Sequence, residues 1–209
     1  AGDINGDGFS DILVGAWNVE ASESATGRTY VILGGEADFP ATLNLLSLDG
    51  SNGFRLDGID PQDRAGYSVS TAGDVNGDGY DDMLVGALAA DKPDNRGDAG
   101  ETYVVFGHGS GFGAIFDLDT LDGTNGFRLD GTDSNDNSGT MVSTAGDING
   151  DGYSDILISA PYGDASGLDS GESYVVFGDD FSDAVTHQGT LMSEALDGDT
   201  SANVMVAGR

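Results

Sequence analysis

An all-β fold built from β-propeller blades is the class that the sequence predicts, on three observations. A nine-residue stretch, Asp3-Ile4-Asn5-Gly6-Asp7-Gly8-Phe9-Ser10-Asp11, returns from Asp74 to Asp82 and from Asp147 to Asp155. The spacing is 71 and then 73 residues, and other landmarks return in step. Each period also holds four short apolar or alternating runs bounded by glycine, the pattern of four strands to a unit.

The repeated stretch has the spacing of a cation-binding loop. Oxygen-bearing side chains fall at its positions 1, 3, 5 and 9, and an aromatic residue stands at position 7. Alternate residues of a tight turn direct their oxygens inward, and the glycine after position 5 permits the bend. The candidate ligands are therefore Asp3, Asn5, Asp7, Phe9 (by its carbonyl) and Asp11; Asp74, Asn76, Asp78, Tyr80 and Asp82; and Asp147, Asn149, Asp151, Tyr153 and Asp155. Calcium takes about six to eight oxygens, so three Ca2+ sites are expected, with water completing each shell. An EF-hand begins alike but needs a chelating Glu at position 12 and flanking helices. Position 12 here is Val14, Val85 or Ile158, and a β-rich run follows, so the loop joins strands. A metal-free turn would favour the same residue types. Three copies that keep every oxygen count against it.

The strands follow in order. The first is small and β-branched, Ser68-Val69-Ser70-Thr71-Ala72, matched by Met141-Val142-Ser143-Thr144-Ala145. The second, Asp82–Ala87 and Asp155–Ala160, is almost continuously apolar, which predicts burial on both faces. The third is Thr29–Leu33, Thr102–Phe106 and Ser173–Phe177. The fourth, Phe54-Arg55-Leu56 and Phe127-Arg128-Leu129, alternates and is expected to be a more exposed outer strand.

Composition narrows the partners. Lys and Arg number 7 against 37 acids, a formal charge of −30. No basic stripe exists to displace counterions from nucleic acid, and an anionic membrane surface would repel the chain. Nine of the acids are candidate ligands in the three loops, and three divalent ions would bring −30 to −24. Such a surface suits a salty, calcium-rich exterior; halophilic solvation is a compatible alternative. The absence of cysteine removes disulfides, zinc–thiolate sites and a thiol nucleophile. No apolar run approaches the length of a membrane span. The 35 glycines recur at fixed places and so mark turns rather than disorder.

The two glycines Gly66 and Gly139, in Ala65-Gly66-Tyr67-Ser68-Val69 and Ser138-Gly139, precede the first strands, and Val85-Gly86-Ala87-Leu88 and Ser159-Ala160-Pro161 end the second. With the loops, this register resembles the FG-GAP repeat, the calcium-binding blade of the integrin α-subunit propeller. Both copies keep the glycine of the Phe-Gly element and lose its aromatic. The resemblance covers essentially the whole chain. It implies a β-propeller with calcium in the hairpin between the first two strands of each blade, and it does not imply an enzyme. The repeats divide as residues 1–58, 59–131 and 132–209. The tail, Asn203-Val204-Met205-Val206-Ala207-Gly208, resembles the approach to the calcium repeats of large secreted bacterial RTX-type proteins.

The ends depart from a complete domain. Only Ala1-Gly2 precede the first loop, so repeat one is expected to lack its first strand. Either the mature protein starts there or the chain is a piece of a longer one. Repeat three passes Leu196-Asp197-Gly198, in register with Leu48 and Leu121, and Val204-Met205-Val206 is expected to serve as its outer strand. Three blades cannot close a ring, since propellers take about four to eight. An open arc is expected, or part of a larger or oligomeric propeller.

Catalytic chemistry is not prominent. His108 and His187 occupy no repeated position, and nothing in the sequence places a Ser, His and Asp together. Gly107–Gly113 is glycine-rich without a following Lys or helix, and reads as a flexible connection. Asp133-Ser134-Asn135-Asp136-Asn137-Ser138 and its counterpart Asp60-Pro61-Gln62-Asp63-Arg64 read as solvated turns, with a further cation as the alternative. Arg96-Gly97-Asp98 spells a tripeptide that many integrins bind, and chance accounts for it in a chain rich in Gly-Asp pairs. Trp17 reads as packing rather than a sugar platform. The expectation is a calcium-stabilised, extracellular, secreted or cell-surface module, non-enzymatic, with a structural, adhesive or protein- or glycan-binding role. A polysaccharide-active enzyme or its accessory propeller, and a subunit that self-assembles through open blade edges, are the alternatives.

Overall fold

The computed structural model describes residues 1–19, 26–36, 39–91, 97–164 and 168–181. His187, Leu196–Gly198, Val204–Val206, the Asn203–Gly208 tail and Arg96 lie outside the described residues. Among the described residues the chain is all-β, with 3-10 turns at Leu45–Ser47 and Leu118–Thr120 and no helix long and apolar enough to cross a membrane.

Three sheets succeed one another as blades of an open arc, a partial β-propeller. Blade one holds β1 (Ile12–Ala16), β2 (Arg28–Ile32) and β3 (Gly53–Asp57), each antiparallel to the next. Blade two holds β4 (Ser68–Gly73), β5 (Asp82–Ala87), β6 (Glu101–Val105) and, at its rim, β8 (Gly126–Asp130). Blade three holds β9 (Met141–Gly146), β10 (Asp155–Ala160) and β11 (Glu172–Val176). The short strand β7 (Ile115–Asp117) belongs to none of these meanders. It leaves repeat two and pairs parallel with β3, so blade one gains a fourth strand from its neighbour.

Period-two alternation on doubly covered strands builds the core. All of β5 and β6 is buried. Met83, Val85, Tyr103 and Val105 pack with Ile4, Val31, Phe54 and Leu56 of blade one. Leu84 and Val104, pointing the other way, pack with Val142, Ile156 and Ile158 of blade three. Each seam between blades is therefore a hydrophobic layer, and burial on both faces is why these strands read as unbroken apolar runs.

The glycines that precede the first strands are explained by close approach. A Cβ at Gly86 would lie 2.1 Å from the Gly139 carbonyl oxygen, and one at Gly15 would lie 2.2 Å from that of Gly66. Gly66 and Gly139 each hold φ at 81°, which side-chain-bearing residues rarely adopt.

Two expectations are corrected. The fourth strand is not the exposed one: Phe54, Leu56, Phe127 and Leu129 are buried. Phe112 stacks on Phe54 at 4.2 Å between ring centroids, and β7 covers the edge of β3. For the same reason Gly107–Gly113 is not a loose connection, because His108 stacks on Phe112 at 4.1 Å and its N–H bonds the Ile4 carbonyl at 2.9 Å. The place of the missing first strand in blade one is taken by a single bridge between Gly2 and Asp11.

Blade contact through glycine is testable. Gly86→Ala is expected to destabilise the chain by roughly 1–3 kcal/mol in denaturant titration, as overpacking does. Gly35→Ala, with open space around its Cβ position, is expected to change stability by less than about 1 kcal/mol.

Candidate metal centres

Each loop hangs from a β-bulge or bridge at the start of the second strand. In blades two and three the register shifts between Thr71 and Gly73, and between Asp155 and Ile156, which turns the chain into the loop. Within the loop, side-chain oxygens bind backbone amides. Asp74 Oδ1 accepts from the Asp78 N–H and Oδ2 from that of Gly79, both at 3.0 Å. Asn76 Oδ1 accepts from Asp78 and Asp78 Oδ1 accepts from Tyr80, each at 3.0 Å. Asp3, Asn5 and Asp7 repeat this pattern toward Asp7, Gly8 and Phe9. Asp147, Asn149 and Asp151 repeat it toward Asp151, Gly152 and Tyr153. These are Asx turns, the local bonding that short polar side chains favour.

The position-9 acid does different work. Asp82 is buried, and its two oxygens accept from the Val75 N–H at 2.8 Å and the Gly107 N–H at 2.9 Å. Asp11 accepts from Ile4 and Gly34, and Asp155 from Ile148 and Gly178. One carboxylate thus ties its own loop to the end of the third strand. The sequence reading missed Gly34, Gly107 and Gly178 in this role, although a glycine after each third strand was the available signal.

The donor set suits a hard cation. Every side-chain donor is an oxygen, three of them carboxylates in each loop. Burial, against the help of the two amides, pushes the Asp82 carboxyl up to about 8, and Asp78 and Asp74 add to the rise. Asp11 is raised by burial as well. A divalent ion beside these groups is the charge that would hold them ionised. Among the described residues, no group of three or more His, Asp or Glu side chains stands together as a ready-made metal cage. Asp3, Asp7 and their counterparts engage exposed amides instead, so a cation would draw them inward by side-chain rotation.

A second acidic arrangement lies along the seams, and it corrects the expectation of solvated turns. Asp63 and Asp136 are buried. The turns that carry them run from one blade to the next, with Ala65 N–H bonded to the Thr26 carbonyl at 3.0 Å and Ser138 N–H to that of Ala99 at 2.9 Å. Burial pushes Asp63 up to about 7, with Glu101, Asp60 and Asp91 contributing. Glu101 accepts from the Tyr103 hydroxyl and is raised, chiefly by burial; Glu172 accepts from that of Tyr174. Gly97 and Asp98 of the Arg-Gly-Asp tripeptide are part of this seam, their carbonyls accepting from Asn135 at 2.9 Å and Asn137 at 3.1 Å.

Other candidates are placed without a catalytic assembly. Ser110 Oγ and His108 Nδ1 are 2.8 Å apart, but no carboxylate is bonded to that imidazole among the described residues. Trp17 is half-exposed and packs at 5.7 Å against Tyr67, with the Arg64 guanidinium 5.7 Å from its ring.

Comparison with known proteins gives a consistent picture. The family model of the FG-GAP repeat matches residues 1–32, 65–105 and 139–176, together more than half of the chain. Integrin alpha-PS2 of Drosophila melanogaster is 29% identical over 198 residues, 93% of this chain and 12% of that protein. The phosphatidylinositol-glycan-specific phospholipase D of Bos taurus is 30% identical over 170 residues, 81% of this chain and 19% of that protein. Integrin alpha-IIb of Mus musculus is 36% identical over 116 residues, 54% of this chain and 10% of that protein. The chain therefore spans less than a fifth of the length of these relatives.

The buried Asp63 predicts a pH dependence. A carboxyl raised from 3.8 to about 7 binds its proton more tightly in the folded state, so its contribution to stability is full below about pH 4 and is lost as pH rises to about 7. Denaturant titrations from pH 4 to pH 8 are expected to show a shallower decline for Asp63→Asn than for the parent chain.

Proposed function

This chain belongs to the FG-GAP repeat family, and on that premise we propose that it is a calcium-binding extracellular propeller module with a structural or adhesive role. The observation that carries the reading is the triplicated oxygen loop anchored on a buried acid, Asp11, Asp82 or Asp155. Calcium would supply positive charge to each loop and bring its exposed carboxylates inward. Asp3, Asp74 and Asp147 would provide the first ligand, Asn5, Asn76 and Asn149 an amide oxygen, and Asp7, Asp78 and Asp151 the next carboxylate. Phe9, Tyr80 and Tyr153 would offer carbonyls. Asp11, Asp82 and Asp155 would face the cation while their amide bonds hold the loop to the third strand.

The remaining features favour a scaffold. The blades meet through apolar layers and backbone contacts, and the His108–Ser110 pair has no orienting acid among the described residues. The relatives that match this chain are named as integrin alpha chains and as a phosphatidylinositol-glycan-specific phospholipase D, each matched over less than a fifth of its length. The module reading therefore treats the repeats as an accessory that such different proteins can carry. Net charge of −30 suits a setting in which calcium is abundant.

Cation binding to the folded state alone must raise its stability. At about 100 times the dissociation constant one site adds about 2.7 kcal/mol, so Tm in calcium is expected to exceed Tm in chelator by at least about 5 °C. Identical melting curves would contradict the reading.

A further inference from the structure

Loops one and two are each gripped by the blade that follows. The Tyr80 ring, from position 7 of loop two, lies over Gly6 of loop one, with Cε1 2.5 Å from where a Cβ would stand. The Tyr153 ring of loop three covers Gly77 of loop two in the same way, at 2.4 Å. Backbone bonds accompany both contacts. The Asp81 N–H bonds the Asp3 carbonyl at 3.1 Å and the Ser154 N–H bonds that of Asp74 at 2.8 Å. The His108 N–H bonds the Ile4 carbonyl at 2.9 Å and the Asp179 N–H bonds that of Val75 at 3.0 Å. Asp81 Oδ2 also accepts from the Asp3 N–H at 2.8 Å.

Loop three has no such grip among the described residues. Nothing comes within 4 Å of a Cβ position at Gly150. Ile148 is 56% exposed, whereas its counterparts Ile4 and Val75 are 0% exposed. Residue 159 adds an independent sign. Blades one and two carry Gly15 and Gly86 where the next blade's carbonyl presses in, and blade three carries Ser159, whose Cβ occupies that space.

We propose that Tyr80 couples the calcium sites of loops one and two and that Tyr153 couples those of loops two and three, so that filling one site tightens its neighbour. Each tyrosine serves two loops: its carbonyl belongs to its own, and its ring packs on the preceding one. Ordering either loop holds the tyrosine backbone or its ring, which lowers the cost of ordering the other. Among the described residues no ring packs on Gly150, so loop three is coupled through Tyr153. The inference rests on the calcium reading, and one experiment separates the two.

The backbone amides of Gly6, Gly77 and Gly150 report the loops one by one in a calcium titration of the 209-residue chain followed by NMR. The Gly6, Gly77 and Gly150 signals are expected to move together over one range of calcium. Tyr80→Leu is expected to raise the Gly6 midpoint by about threefold to tenfold and leave the Gly150 midpoint in place, while Tyr80→Phe restores it. Tyr153→Leu is expected to raise the Gly77 and Gly150 midpoints alike, which keeps the test available if one variant fails to fold. Midpoints that are independent of one another in the parent chain, or a Gly6 midpoint unmoved by Tyr80→Leu, overturn the coupling. If no loop amide moves with calcium, the calcium reading falls along with it.

Discussion

The structure depends on a buried carboxylate at the root of each loop. Asp82 accepts one amide from its own loop and one from the end of the third strand, and Asp11 and Asp155 do the same. Two charge-assisted hydrogen bonds to backbone are strong when water is excluded. They fix the hairpin between the first two strands relative to the third, and so fix the blade. The same burial makes the charge costly, and at Asp82 it wins over the amides. A hairpin that needs an ionised acid in an apolar place calls for positive charge nearby. The charges of Asp78 and Asp74 bear on Asp82 with the same sign and add to the cost.

The seams between blades extend this constraint. Their apolar layers are complementary because alternate residues of β5 and β6 point to opposite neighbours. Gly86 lets the Gly139 carbonyl approach at a distance that no Cβ would allow. Around these layers the backbone of each loop bonds to the next blade, so a blade's metal loop and its outer contacts are not separate features. β7 shows the same interlocking, since a strand of repeat two finishes the sheet of repeat one.

Much of this was legible in the sequence. The period, the loops and the four-strand order follow from Asp, Asn and Gly at fixed spacing, because those types have few other reasons to recur together. Doubly buried β5 was visible as a continuous apolar run, whereas β10 reads alike but leaves Leu157 exposed on one face. What stayed hidden depends on residues far apart in the chain. Phe112 has no local signal for stacking on Phe54, so the outer strand read as exposed. Asp63 and Asp136 look like ordinary turn residues, and only the crossing from one blade to the next buries them. The position-9 acids read as ligands, while their partners Gly34, Gly107 and Gly178 lie 23 to 25 residues onward, beyond any local pattern.

Equilibrium dialysis against radioactive calcium tests the central claim most directly, since it counts ions without reference to stability or shape. The account predicts three saturable calcium ions per chain, and their loss when Asp3, Asp74 and Asp147 are together replaced by Ala. A chain that retains no calcium at millimolar concentration, or a triple variant that binds as the parent does, would contradict it.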